Sequence, residues 1–143
     1  MKNIFLLFMV AVLFSACGAG SRETSEQQLE GKKWDEVMAN HDVVMPMMGT
    51  THKVRKALKA YQSSKGTLEQ TEAAAITKML TDLDKADESM MDWMQKYQKL
   101  GKLQDSKSHA EIMKYLENEE VRINKVKELM ESSIAAGQAF LKQ

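Results

Sequence analysis

TLEQTEAAAITKMLTDLDKADESMMDWMQKYQK, residues 67–99, is the stretch that decides the fold. Its apolar side chains Ile76, Leu80, Leu83, Ala86, Met90, Met94 and Tyr97 recur at spacings of three and four, the period of one face of an α-helix. Thr67 and Gln70 carry the spacing of a capping box, in which a hydroxyl accepts from the third backbone N–H and the Gln side chain reaches back. Gly66 lies just before this segment and Gly101 just after it, each with lysines in the preceding turns, as helix C-termini prefer.

The same grammar extends outward. Ser108-His109-Ala110-Glu111 opens a segment whose stripe runs Ile112, Leu116, Ile123, Val126, Met130, Ile134, Gly137 and Leu141, interrupted near Glu119 and Glu120. Ser25-Glu26-Gln27-Gln28 opens another, with Trp34, Met38, His41, Met45, Met48 and His52 on one face and Val54 and Leu58 beyond. Helices are expected over about 25–65, 67–100 and 108–142, each roughly 50 Å long. Short Gly-containing connections make neighbours antiparallel. The expected fold is all-α: an elongated, up-down-up, coiled-coil-like three-helix bundle. Pro46, which lacks an N–H and clashes with the carbonyl of Asp42, costs about 3 kcal/mol in a regular helix. With Gly49 close by, it predicts a kink or break in the first helix. Gly31 weakens the start of that helix and points to a beginning near Lys32.

The N-terminus has a different character. Met1-Lys2-Asn3 is a short basic start, and residues 4–16 (IFLLFMVAVLFSA) are apolar or small. Such a run suits a signal-peptide core and is too short to span a bilayer, which takes about twenty residues. Ser15-Ala16-Cys17-Gly18 reads as a bacterial lipoprotein box, with Phe14 where leucine is usual. In this reading residues 1–16 are the signal peptide, Cys17 is acylated as the mature N-terminus, and residues 17–24 form a flexible tether. An ordinary cleaved signal and a secreted protein is the alternative. The lipoprotein reading puts the chain in the cell envelope, anchored to the outer or inner membrane and facing the periplasm, or on the cell surface.

Composition narrows the function classes. The mature 127 residues hold 19 Lys+Arg against 20 Asp+Glu, and nothing reads as a basic stripe, so nucleic acid is not an expected partner. The one cysteine excludes an intramolecular disulfide. Neither a nucleophile elbow, a phosphate loop nor HExxH is present, and no enzyme is expected. Asp84, Asp87 and Glu88 read as a solvated helical face. Glu119 falls near the core, where Arg122 or a lysine of another helix would partner it.

Methionine is the unusual component: 12 in the chain, ten of them after residue 16. Met38, Met45, Met47 and Met48 flank Pro46, and Met90, Met91 and Met94 gather around Trp93. Folding the chain about Gly66 and again near Gly101 puts His41, Met38, Met45, Met90, Met91, Met94 and Met113 in one slab, with Trp34 and Trp93 near its end. Two readings stay open. Methionine adapts to awkward gaps and packs on aromatic rings, which suits a core moulded around a kink. Alternatively Met45, Met48, Met90, Met91 and Met94 are thioether ligands, with His41 as the nitrogen ligand, for Cu(I) or Ag(I). His52 reads as a boundary residue and His109 as part of the third helix's start. Haem is disfavoured because CxxCH is absent and three helices enclose it poorly. Zinc lacks histidines at ligand spacing.

Three blocks carry a family resemblance. His41-Asp42-Val43-Val44-Met45-Pro46-Met47-Met48-Gly49 resembles an HDxVMPxMG signature. Ala86-Asp87-Glu88-Ser89-Met90-Met91-Asp92-Trp93-Met94 is similar to ADxxMMDWM. Ser108-His109-Ala110-Glu111-Ile112-Met113, with an ELMxxSI-like stretch over residues 128–134, resembles a third block. Together they resemble small lipoproteins of Bacteroidota sometimes labelled viral A-type inclusion protein. The resemblance implies a helical, lipid-anchored envelope protein and supplies no catalytic residue. The expected function is therefore a non-enzymatic interaction or structural module, held at the membrane by its lipid and engaging an envelope protein. A periplasmic soft-metal binder is the alternative.

Overall fold

The computed structural model describes residues 24–142; the signal segment 1–16, Cys17 and tether residues up to 23 lie outside them. The described chain is all-helical: α1 (Ser25–Val44), α2 (Met47–Ser64), α3 (Gln70–Lys96), α4 (Leu100–Gln104) and α5 (His109–Phe140).

The start of α1 shows how local chemistry sets a boundary. Thr24 is extended (φ −67°, ψ 158°); its Oγ1 accepts from the Gln27 N–H at 3.2 Å, and its own N–H donates to Gln27 Oε1 at 2.9 Å. The capping box thus sits one residue earlier than Ser25–Gln28. It satisfies orphan donors of the first turn, so the helix begins at Ser25 and runs through Gly31 rather than waiting for Lys32.

At Pro46 the helix bends without leaving helical space. Met45 (φ −52°, ψ −46°) and Pro46 (φ −62°, ψ −23°) both stay right-handed. The missing proline N–H falls at the start of α2, where a helix donor would be unsatisfied anyway. The Met48 and Gly49 N–H groups donate to Met45 O and Pro46 O at 3.2 Å, a tighter i→i+3 pattern across the joint.

Gly66, at φ +66°, reverses the chain after α2 in the left-handed conformation that favours glycine. The next boundary differs from the sequence expectation. Glu69, not Thr67, is the N-cap of α3 and makes no side-chain capping bond. At the other end Tyr97 turns extended (ψ 129°), ending α3 at Lys96. Gly101 does not terminate a helix; it lies inside the short α4. The Ser108 box forms as its spacing suggests: the Ser108 N–H donates to Glu111 Oε2 at 2.9 Å and its hydroxyl at 2.6 Å.

Helix α5 packs against α1, α2, α3 and α4, and α2 packs against α3. The core divides into three clusters along the length. Leu103, Ile112 and Leu116 join Trp34, Leu100 and Tyr115 at one end. Val54, Leu58, Ile76 and Leu83 join Tyr61, Leu80 and Phe140 at the other. Between them lies the layer beside Pro46. Polar ties record the register. Lys33 Nζ reaches Glu120 at 2.7 Å, Arg55 Nη2 donates to Asp87 Oδ2 at 2.5 Å, and Tyr61 OH donates to Glu72 at 2.6 Å.

Helices α2 and α5 approach closely at Gly137, where an added Cβ would stand 2.4 Å from Val54 Cγ1. Gly137→Ala should therefore destabilise the fold by about 1–3 kcal/mol through overpacking. Gly31→Ala, whose Cβ meets nothing within 4 Å, should stabilise it by about 0.5–1 kcal/mol. Urea unfolding of the two variants checks both signs.

Candidate functional site

The layer at the bend is built from three helices. Val37 and Val44 of α1, Ala86, Met90 and Trp93 of α3, and Ile123, Val126 and Met130 of α5 are buried together. Met38, Met45, Met47, Met48, Met94, Tyr97 and Ile134 pack on them, partly buried. The bend places Met45, Met47 and Met48 at an irregular junction, where unbranched, flexible thioethers fit more readily than branched side chains. Met90 is fully buried, and its neighbours in the layer are aliphatic as well as sulfur-bearing.

Of the proposed ligand set, His41, Met45, Met48, Met90 and Met94 come to this layer. Met91 does not: it is 44 % exposed, about 100° around α3 from Met90. Met113 lies outside the layer too, and Met130, which the sequence places on the third segment's stripe but not in the slab, occupies it. The cause is the α3–α5 connection. Helix α4 and its flanking turns move the fold-back point beyond Gly101, so Asp92 meets Arg122 (3.9 Å) and Gln98 meets Tyr115 (2.8 Å).

His41 lies against Trp93, ring centroids 5.6 Å apart, and its Nδ1 is 2.9 Å from Asp42 Oδ1. A carboxylate on one ring nitrogen fixes the imidazole and leaves Nε2 for another partner. His52 is exposed on α2. His109 holds Glu30 Oε1 at 2.8 Å, and Gln104 donates to the other oxygen of this buried carboxylate at 2.8 Å. Among the described residues no group of three or more His, Cys, Asp or Glu is arranged to hold a metal ion.

Beyond His41 the aromatic layer continues. Trp93 stacks on Tyr97 at 4.7 Å, and Tyr97 reaches Trp34 (6.5 Å) and Tyr115 (6.3 Å). Glu119 is buried beside them, with Oε1 accepting from Arg122 Nη1 at 2.7 Å, the partner expected from the sequence. Burial, then the neighbouring Tyr115 and Glu119, push the Tyr97 phenol well above the ordinary tyrosine range. Burial also raises Tyr115, opposed by the Gln98 N–H and reinforced by Glu119.

Sequence reading missed the polar joint that clamps α2 to α3. Arg55 pairs with Asp84 at 2.7 Å and with Asp87, while the buried Thr51 hydroxyl lies 2.6 Å from Asp87 and 2.8 Å from Met48 O. Asp84 and Asp87 are thus engaged, not simply solvated. A lone arginine in a stretch without acids was the signal available. The surface offers one further feature, an open groove of about 480 Å³ between α3 and α5, with Trp93, Val126 and Leu129 among its lining and Lys85, Asp92 and Arg122 beside them.

Comparison with known proteins returns no match to a family model, a curated protein or a solved structure.

Met90→Ala should cost about 2–5 kcal/mol of stability, whereas Met91→Ala should stay within about 0.5 kcal/mol. Chemical denaturation separates them. The raised phenols set a pH window. Stability is fully present below the unfolded tyrosine value near pH 10 and declines as pH rises above it, because unfolding lets Tyr97 and Tyr115 ionise. Absorbance titration should show these phenols ionising above the ordinary range, together with loss of helix.

Proposed function

We propose that this chain is a lipid-tethered, non-enzymatic module of the bacterial cell envelope that acts by surface contact. Cys17, behind the apolar run 4–16, supports the anchor, and no described helix is long and apolar enough to cross a membrane. The observation that carries the contact reading is the filled layer at the bend. Its methionines interleave with Val37, Val44, Ala86, Ile123 and Val126, as a core does. What is left for a partner is outer surface, including the open α3–α5 groove. The resemblance of the His41, Ala86 and Ser108 blocks to small Bacteroidota lipoproteins agrees with this placement.

The arrangement we propose is an up-down-up three-helix bundle, in which α1 and α2 form one bent rod. Lys33 opposite Glu120, and Val54 beside Gly137, support α5 running in the same direction as that rod. Arg55 with Asp87 and Tyr61 with Glu72 support α3 running the opposite way.

One observation favours a second reading, a Cu(I) or Ag(I) binder: His41, oriented by Asp42, packs at the edge of a layer containing Met45, Met48, Met90 and Met94. In that case Cu(I) at a hundred times its dissociation constant adds about 2.7 kcal/mol of stability, and Met45→Leu with Met90→Leu removes the gain.

The anchor is tested by expressing the full chain with an acyl-labelled lipid precursor in a bacterium that processes lipoproteins. The expected product begins at Cys17, carries the label and stays with membranes, and Cys17→Ala abolishes both properties. An unlabelled, cleaved and secreted product would instead establish the ordinary-signal reading.

A further inference from the structure

The near-neutral charge of the whole chain hides a segregation that a reading by composition overlooks. Residues 43–68 contain Lys53, Arg55, Lys56, Lys59 and Lys65 and no Asp or Glu, although the chain holds 20 acids. Arg55 is used internally by Asp84 and Asp87, and Lys65 sits over the Tyr61 ring at 5.0 Å. Lys53, Lys56 and Lys59 remain exposed, with His52 beside them, and none of the four has an ion-pair partner among the described residues. At about 100° per residue they fall within an arc of roughly 120° on one side of α2. Elsewhere Lys33, Lys78, Lys96 and Lys127 each have a carboxylate within 4 Å, and unpaired lysines such as Lys32, Lys85, Lys114 and Lys125 share their helices with acidic residues, as those of α2 do not. Like charges at i and i+3 or i+4 repel, so the stripe weakens the helix that carries it.

We propose that this face of α2 docks on the anionic surface of the membrane that holds the lipid anchor, an inference that rests on the anchored reading above. Complementary charge is the first reason, since unpaired lysines gain most against a surface dense in phosphate headgroups. Reach is the second. Lys56 lies about 45 Å along the helices from Ser25, farther than the roughly 28 Å an eight-residue tether spans. The stripe therefore meets headgroups only when the long axis of the protein lies along the bilayer. Because α2 packs on both α3 and α5, its lysine face turns away from them, and the α3–α5 groove then opens away from the membrane.

Each lysine near an anionic leaflet strengthens adhesion about fivefold, an effect that salt screens. The test reconstitutes the acylated protein in phosphatidylcholine vesicles with and without phosphatidylglycerol, and reads amine-reactive labelling of every lysine by mass spectrometry. Labelling of Lys53, Lys56 and Lys59 should fall severalfold only with phosphatidylglycerol and recover in high salt, while Lys114 and Lys125 on α5 stay unchanged. Equal labelling on both vesicles overturns the proposal, as does protection by polyglutamate in place of phosphatidylglycerol. Retention on phosphatidylcholine reports the anchor separately. Should the protein leave those vesicles, K53E/K56E/K59E still decides the stripe: it should lower partitioning of the unanchored protein onto phosphatidylglycerol vesicles by roughly a hundredfold, and an unchanged partition refutes the docking face.

Discussion

Pro46 sits inside a run of residues that would otherwise form one continuous helix, and it can neither donate a hydrogen bond nor fit beneath the preceding turn. The chain meets this constraint by keeping Met45 and Pro46 helical in φ and ψ while restarting the ladder at Met47. Packing around the joint then has to be irregular. Met38, Met45, Met47 and Met48 supply side chains that adapt, and Met90, Met94, Met130 and Trp93 meet them from α3 and α5. Seven of the ten methionines after residue 16, the most unusual feature of the composition, gather in this layer. The Thr51–Asp87–Arg55 joint, within about three turns of the proline, holds the restarted helix to α3.

Polar groups then divide the molecule between interior and surface. Glu30 of α1 is buried and answered by His109 and Gln104, a tie that joins α1 to α5 and α4, while buried Glu119 is answered by Arg122 within α5. Outside, α3 and α5 mix both signs of charge along the groove, whereas α2 shows only positive charge outward. The exposed side of α2 and the α3–α5 groove therefore differ in charge character.

Much of the fold was legible because helical grammar is local. Ser108 with Glu111, Gly66 in the left-handed conformation, and the stripes through Leu83, Met90, Ile123 and Met130 are decided within a few residues of each position. Errors came where competing local signals were nearly equal. Thr24 displaced Ser25 as the cap, and the Thr67 hydroxyl lost its role to a chain reversal that starts α3 at Gln70. The candidate site fared worse because its composition depends on register between distant segments. The extra turn of α4 shifted α5 along α3, exchanging Met113 for Met130, and helix phase alone put Met91 on the surface. The partners of Arg55 were hidden for the same reason, since Asp84 and Asp87 lie about thirty residues away on another helix.

If the core is moulded on the bend, Pro46 is a fitted part and not a tolerated defect. Urea unfolding of Pro46→Ala measures this directly. Its φ of −62° matches the value the proline ring imposes, so alanine should lose about 0.5–1 kcal/mol through a freer unfolded chain, with helix content unchanged. A gain approaching 3 kcal/mol would mean that a straight helix packs better, and that the methionine layer is not built around the bend.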